Sequence, residues 1–283
     1  MALEHRVLEL VEDDLRRRGL AATTSRASQG YVVELTGGLK MFLGNLTDRL
    51  ARLDEDEWPA QVAHFVEAGL ALPRSSGPLD EAETRARIRT RLIPDDPDVP
   101  TPCTYARPFA PGIRCVLALD FELAVQTVTD ATLADLPLPL DELYRIGQAN
   151  TDAEPIDDTG TVSEHVSALG GRSPFVASKA GNLAALVPDV IGEAPCGLLF
   201  AVPDRHLLLY TVLASAAEDQ MVQFVAFTQT VDALDDDAFE TISPAAYYWA
   251  PDGTIERVTS HLIVEDEPAS VITWPASLQR SLP

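Results

Sequence analysis

Leu198-Leu-Phe-Ala-Val202 is an unbroken apolar run, introduced by Gly197 and stopped by Pro203. In a strand, successive side chains point to opposite faces, so a strand wet on one side alternates apolar with polar residues. This run does not alternate, and a strand that fails to alternate must be covered on both faces. It therefore reads as a central strand around which the rest of the fold is built.

The chain has 283 residues, 46% of them hydrophobic, enough to bury a real core and more than one lobe commonly holds. The expected class is α+β, with a small αββα N-terminal lobe (1–73) and a larger mixed α/β lobe with antiparallel hairpins (103–265). Residues 74–102 are expected to form a linker carrying an exposed helix, and 266–283 an irregular tail.

In the first lobe Leu3, Val7, Leu8, Leu10, Val11 and Leu15 recur at helical spacing, and Gly19 stops the helix. Tyr31–Thr36 and Leu39–Leu43 flank Gly37-Gly38, the signature of a tight β-hairpin. Leu46–Leu53 and Trp58–Leu72 read as two helices, since Pro59 suits a first helical turn. Ser75-Ser-Gly-Pro78 marks the linker, Leu79–Leu92 its charged helix, and the prolines between Ile93 and Pro102 the next boundary.

In the second lobe β-like runs at Thr104–Phe109, Ile113–Leu119 and Leu123–Val128 precede a helix at Leu140–Ala149. Strands are predicted near Thr161–Ala168 and Pro174–Ala177, then a helix from Gly181 to Val190. Glu218–Leu234 is predicted helical with Met221, Val225 and Thr228 on one side. Ile242–Ala250 and Thr254–Ser260 form a hairpin about Pro251-Asp-Gly253.

Acidic residues outnumber basic ones 44 to 21, a formal charge of -23. Such a field repels nucleic acid and anionic lipid and attracts basic proteins, so neither nucleic acid nor membrane is an expected partner. No signal-peptide pattern opens the sequence and no apolar tract reaches the length of a span, so a cytoplasmic protein is expected. Cys103, Cys115 and Cys196 lack metal or redox spacing and read as buried, inert thiols.

The triplet Asp204-Arg205-His206 between two apolar runs raises the question of catalysis. As a strand-to-helix corner, Asp204 would cap the first free amides of a helix beginning at Leu207. As a catalytic loop, His206 would act with Asp204 or with Asp120, which ends a β-run. No phosphate loop, dinucleotide fingerprint, nucleophile elbow or paired-histidine helix is present, and no cofactor or metal is expected. His5, His64, His165, His206 and His261 are scattered, and the acidic runs lack the pattern of a calcium loop. For binding, the candidates are Trp249, on a strand where one side of Tyr247-Tyr-Trp249 faces core and the other solvent, and the acids Asp235, Asp236 and Asp237.

Arg91-Leu-Ile-Pro94, Leu117-Ala-Leu-Asp120 with the Leu140–Ala149 helix, Gly197–Tyr210 and the Tyr247–Val258 hairpin together resemble the YtpQ-like bacterial proteins of unknown function. The first lobe separately resembles the αβ lobes of secretion-chaperone-like proteins in element order. The family resemblance implies no activity. It does imply an acidic residue at the position of His206, which weighs against a catalytic histidine.

The expected function is a non-catalytic cytoplasmic binding protein, an adaptor, chaperone-like or toxin-neutralising factor, that engages a protein partner through an acidic surface. The alternatives are a hydrolase with an unrecognised site around Asp204 and His206, or a small-molecule sensor in a cleft between the lobes.

Overall fold

A computed structural model describes residues 2–27, 30–36, 40–51, 53–71, 79–96, 102–121, 124–235, 241–264 and 267–281. The class is α+β with antiparallel sheets. The chain divides into two compact units, Met1–Pro78 with Phe121–Val125, and Leu79–Asp120 with Gln126–Pro283.

The first unit contains α1 (Ala2–Arg17), β1 (Ala22–Ala27), β2 (Gly30–Leu35), β3 (Lys40–Phe42), α2 (Gly44–Leu50) and α3 (Trp58–Ala71). Val7, Val11 and Leu15 of α1 meet Val33, Met41, Leu46, Leu50, Val62 and Val66 in one core, so the helical spacing of α1 becomes its buried stripe. The hairpin expected around Gly37-Gly38 is present as β2 and β3, with Val33 opposite Met41; its turn lies outside the described residues. An additional strand, β1, pairs antiparallel with β2. Ala22–Arg26 are exposed and largely polar, so β1 carries no apolar signal of its own.

The second unit begins earlier than the composition suggests. The predicted linker helix Leu79–Leu92 is instead α4 (Glu81–Arg87), capped by Asp80 through Glu83 N, followed at once by β4 (Ile88–Pro94). In Ile88-Arg-Thr-Arg-Leu92 burial alternates with period two, Ile88, Thr90 and Leu92 pointing inward. Pairing of β4 with the next sheet strand outweighs the helix propensity of its arginines. The described part of 79–102 thus belongs to the larger unit; Ser75–Pro78 and residues 97–101 lie outside the described residues.

There follow β5 (Arg107–Ala110), β6 (Ile113–Phe121), β7 (Ala124–Thr127), α5 (Asp130–Ala134) and α6 (Leu140–Asp152). β6 is flanked by β4 and β5 and also pairs with β7. Next come β8 (Asp158–Ser163), β9 (Val166–Gly170), a 3-10 turn over Ala177–Asn182, α7 (Leu183–Leu186) and a π turn over Val187–Ile191. Pro174–Ala177, expected as a strand, leads into the 3-10 turn, and the predicted helix Gly181–Val190 is broken into short turns around Pro188.

The chain closes with β10 (Leu198–Asp204), β11 (Leu207–Val212), α8 (Ala217–Asp235), β12 (Tyr247–Trp249), β13 (Ile255–Arg257), β14 (Thr259–Val264), β15 (Glu267–Ile272) and α9 (Ala276–Ser281). The tail expected to be irregular is therefore largely a strand and a helix. β15 pairs in register with β14, and α9 buries Leu278 in the core under α8.

β10 occupies the interior of a six-stranded sheet in the order β13-β12-β10-β11-β9-β8. Leu198, Phe200 and Val202 point into one apolar cluster with Leu169, Leu183 and Tyr247. Leu199 and Ala201 point into another with Phe224, Phe227, Val231 and Tyr248. Both faces are covered, as the unbroken run requires. Gly197 enters this strand at φ +83, where a Cβ would lie 2.5 Å from the Trp249 carbonyl oxygen; no other residue fits.

Candidate functional site

The Asp204-Arg205-His206 corner is a β-hairpin, not a strand-to-helix junction. Ala201 pairs with Leu209 and Asp204 with Leu207, so Val202 and Pro203 together oppose Leu208 in a bulge. Proline is tolerated at such a position because its missing N–H is not needed in the ladder. Leu207–Tyr210 pairs with β9 on one side and β10 on the other, which overrides the helix expected there. Asp204 accepts a hydrogen bond from His206 N at 2.6 Å, closing the turn and not capping a helix.

The imidazole is engaged at both nitrogens. Arg205 Nε donates to His206 Nε2 at 3.0 Å, and His206 Nδ1 lies 3.1 Å from the Gly171 carbonyl, so the proton is on Nδ1 and the ring is neutral. Burial pulls the His206 pKa down, helped by Arg205; Asp204 and the carbonyls of Gly171 and Ser173 act against it. A base must have a free lone pair aimed at its proton, and the lone pair of Nε2 is occupied by Arg205.

Asp120, at the end of β6, lies 3.7 Å from Arg89 Nη2. Burial raises its pKa, opposed by Arg89. Arg89 Nε donates to Glu154 Oε1 at 2.8 Å, and Ser173 Oγ donates to Glu154 Oε2 at 2.8 Å. Asp120 thus reaches, through Arg89 and Glu154, the same Gly171–Ser173 loop that packs on His206. Ser173 is the hydroxyl of this group, and its proton is directed to a carboxylate already held by arginine.

Beside it lies a second polar cluster with no counterpart in the sequence reading. Lys179 is 3% exposed, and its Nζ donates to the Asp152 carbonyl at 2.6 Å, at the C-terminal end of α6. A cation there satisfies a free helix carbonyl and complements the helix dipole. The Asp152 carboxylate accepts from Gln148 and Asn182, while Thr151 binds the backbone of Thr90. Burial lowers the Lys179 pKa, with Asp152 and Glu154 opposing. The one available signal was rarity, since Lys40 and Lys179 are the only lysines in the chain.

The aromatic trio behaves differently from expectation: both of its sides pack on core, and only Trp249 is partly exposed. Tyr247 and Tyr248 are both buried, in opposite core clusters, because cover layers lie on both sides of β12. Trp249 is half-buried against the cluster that holds Tyr247. Asp235 ends α8, while Asp236 and Asp237 lie outside the described residues. Burial pushes Cys115 up to about 12 and raises Cys103 as well, which keeps both thiols protonated.

The feature that stands out is the outer face of α8. Phe224, Phe227 and Val231 pack inward, yet Met221, Val222 and Val225 are 54%, 53% and 40% exposed. With Ala226 and Gln229 they line one shallow apolar surface. Thr228, expected beside Met221 and Val225, is buried and bonds back to the Phe224 carbonyl. From Gln220 to Val231 the helix has no charged residue, and its only charges, Glu218, Asp219, Asp232 and Asp235, are acidic and lie toward the two ends. Blurred periodicity was the sequence signal: apolar residues stand on the outward side of this helix as well as on its inward side.

Among the described residues no helix is long and apolar enough to cross a membrane, and no cluster of histidine, cysteine and acidic side chains could hold a metal ion. Compared with protein-family models, curated proteins and solved structures, the chain matches none of the three.

Proposed function

We propose that the chain is a non-catalytic, cytoplasmic protein-binding protein of the adaptor, chaperone-like or toxin-neutralising kind, which engages its partner through an acidic surface that includes the apolar outer face of α8 and the acids toward its ends. The observation that carries this reading is the exposure of Met221, Val222 and Val225 on a helix whose other face is core. Exposed apolar surface rimmed by polar residues marks interaction sites in soluble proteins. The polar groups favoured for chemistry support it from the other side, since Asp204, His206, Asp120 and Ser173 all have structural partners.

The test is a pull-down from the source cell at low and high salt, run in parallel with Val225→Glu protein. A basic protein captured by the unmodified chain, released as salt rises and absent from the Val225→Glu lane, supports the reading. An identical capture profile in both lanes, or His206-dependent turnover of a generic ester or phosphoester, overturns it.

A further inference from the structure

We infer that the partner seated on α8 is a helix with an apolar seam flanked by basic side chains. The inference rests on the protein-binding reading and specifies its partner. Three observations lead to it. The outward residues Glu218, Val222, Val225 and Gln229 follow one another at spacings of four, three and four, with Met221 beside them. That spacing is the seam by which one helix packs along another. The unbranched, polarizable side chain of Met221 suits a surface that adapts to a partner.

The charges at the two ends then set the sign of the partner. Glu218 and Asp219 in the first turn have an internal explanation, because acids stabilise a helix N-terminus. Asp232 has none: it sits in the last turn, where the helix dipole disfavours an acid, and α8 has no lysine or arginine to offset it. Lysine or arginine at both ends of a docked helix would neutralise these acids, while its apolar residues cover Met221, Val222 and Val225. A second copy of this chain is a poor occupant, since each copy brings a formal charge of -23 and the same acidic ends to the seam.

The experiment uses the full chain and three synthetic peptides of about 18 residues, long enough to form a helix on docking. One has leucines on a single helical face and lysines at both ends, the second is its scramble with the same charge, and the third replaces lysine by glutamate. Fluorescence-anisotropy titrations are run at low and high salt, and sedimentation gives the oligomeric state. The expected result is that the basic amphipathic peptide binds at least about tenfold more tightly than its scramble, a gap of about 1.4 kcal/mol. Val225→Glu should abolish that gap although it adds attraction for lysine, so a loss cannot be attributed to charge. The pair Glu218→Gln and Asp219→Asn should weaken binding a few-fold at low salt and much less at high salt.

Equal binding of the basic peptide and its scramble, with no effect of Val225→Glu, overturns the helix seam. Equal binding of the acidic and basic amphipathic peptides, both lost in Val225→Glu, overturns the basic partner and leaves the docking face standing. A dimer that Val225→Glu dissociates makes the occupant a second copy, which also overturns the inference. If Val225→Glu changes neither peptide binding nor protein capture, the functional reading falls with it.

Discussion

The Arg89–Glu154–Lys179 region and the outer face of α8 break opposite rules. In the first, charged side chains are wholly or largely buried; in the second, apolar ones are exposed. Buried charge and exposed apolar surface are the two informative departures from ordinary partitioning. They differ in whether the departure is compensated. Arg89, Glu154 and Ser173 are joined by one set of short hydrogen bonds and Lys179 and Asp152 by another, so every polar group named there has a partner within the fold. Met221, Val222 and Val225 have no such closure among the described residues. Compensation inside the chain points to structure, and its lack points outward, to binding.

The largest effect that would sharpen this contrast is at Arg89. Arg89→Ala leaves Glu154 and Asp120 without their cation in a poorly solvated place, and chemical denaturation should show a loss of about 3 kcal/mol. A loss close to zero would mean that the network is solvated and that its groups are free for chemistry. Asp204→Ala removes the acceptor that closes the β10–β11 turn and should cost about 1 kcal/mol, read as a lowered melting temperature. The size resembles that of a helix cap, but the mechanism is a hairpin turn, so Asp204→Asn, which keeps an acceptor, should recover most of it.

A smaller and pH-dependent effect is expected at His206. Its pKa in the folded chain lies below the ordinary value of 6.5, so as pH falls the unfolded chain takes up the proton first. Stability should be unaffected well above 6.5 and decline as pH falls from there through the folded-state pKa, with no further loss below it. His206→Gln, which keeps a donor for the Gly171 carbonyl, should flatten that part of the melting curve against pH. An unchanged slope would show the imidazole to be solvated and available. The smallest stability change is expected on α8, where Val225→Glu should alter the unfolding free energy by less than about 0.5 kcal/mol. A larger loss would mean that this face already packs against something in the isolated protein.

Local patterns that coincide with tertiary demand were readable in advance. The non-alternating run at Leu198–Val202, the stripe of Val7, Val11 and Leu15, and Pro251-Asp-Gly253 each carry their structural meaning in a few neighbouring residues. β1 and β4 were not readable in the same way. Ala22–Arg26 is held by pairing with β2 and not by burial, and Ile88–Pro94 carries arginines that suit a helix equally well. Of the candidate site, Asp204 and Asp120 drew notice for their chemistry, while Glu154, Ser173 and Lys179 did not, because their significance lies in partners far along the chain. On α8 the composition was visible but the facing was not: Thr228 turned inward and Met221 outward.

The amino-acid sequence by itself determined a strand sealed on both faces, a helical first segment, an acidic net charge and a molecule without a recognisable catalytic motif, because each is a property of composition or of residues close together. Only the tertiary structure decided that Asp204-Arg205-His206 is a hairpin turn, that Lys179 closes the end of α6, and that the outer face of α8 is left bare among the described residues. Those depend on which distant strands pair and which helix face the sheet covers. A periodicity reports that a residue has a side to hide, but the rest of the fold settles what hides it.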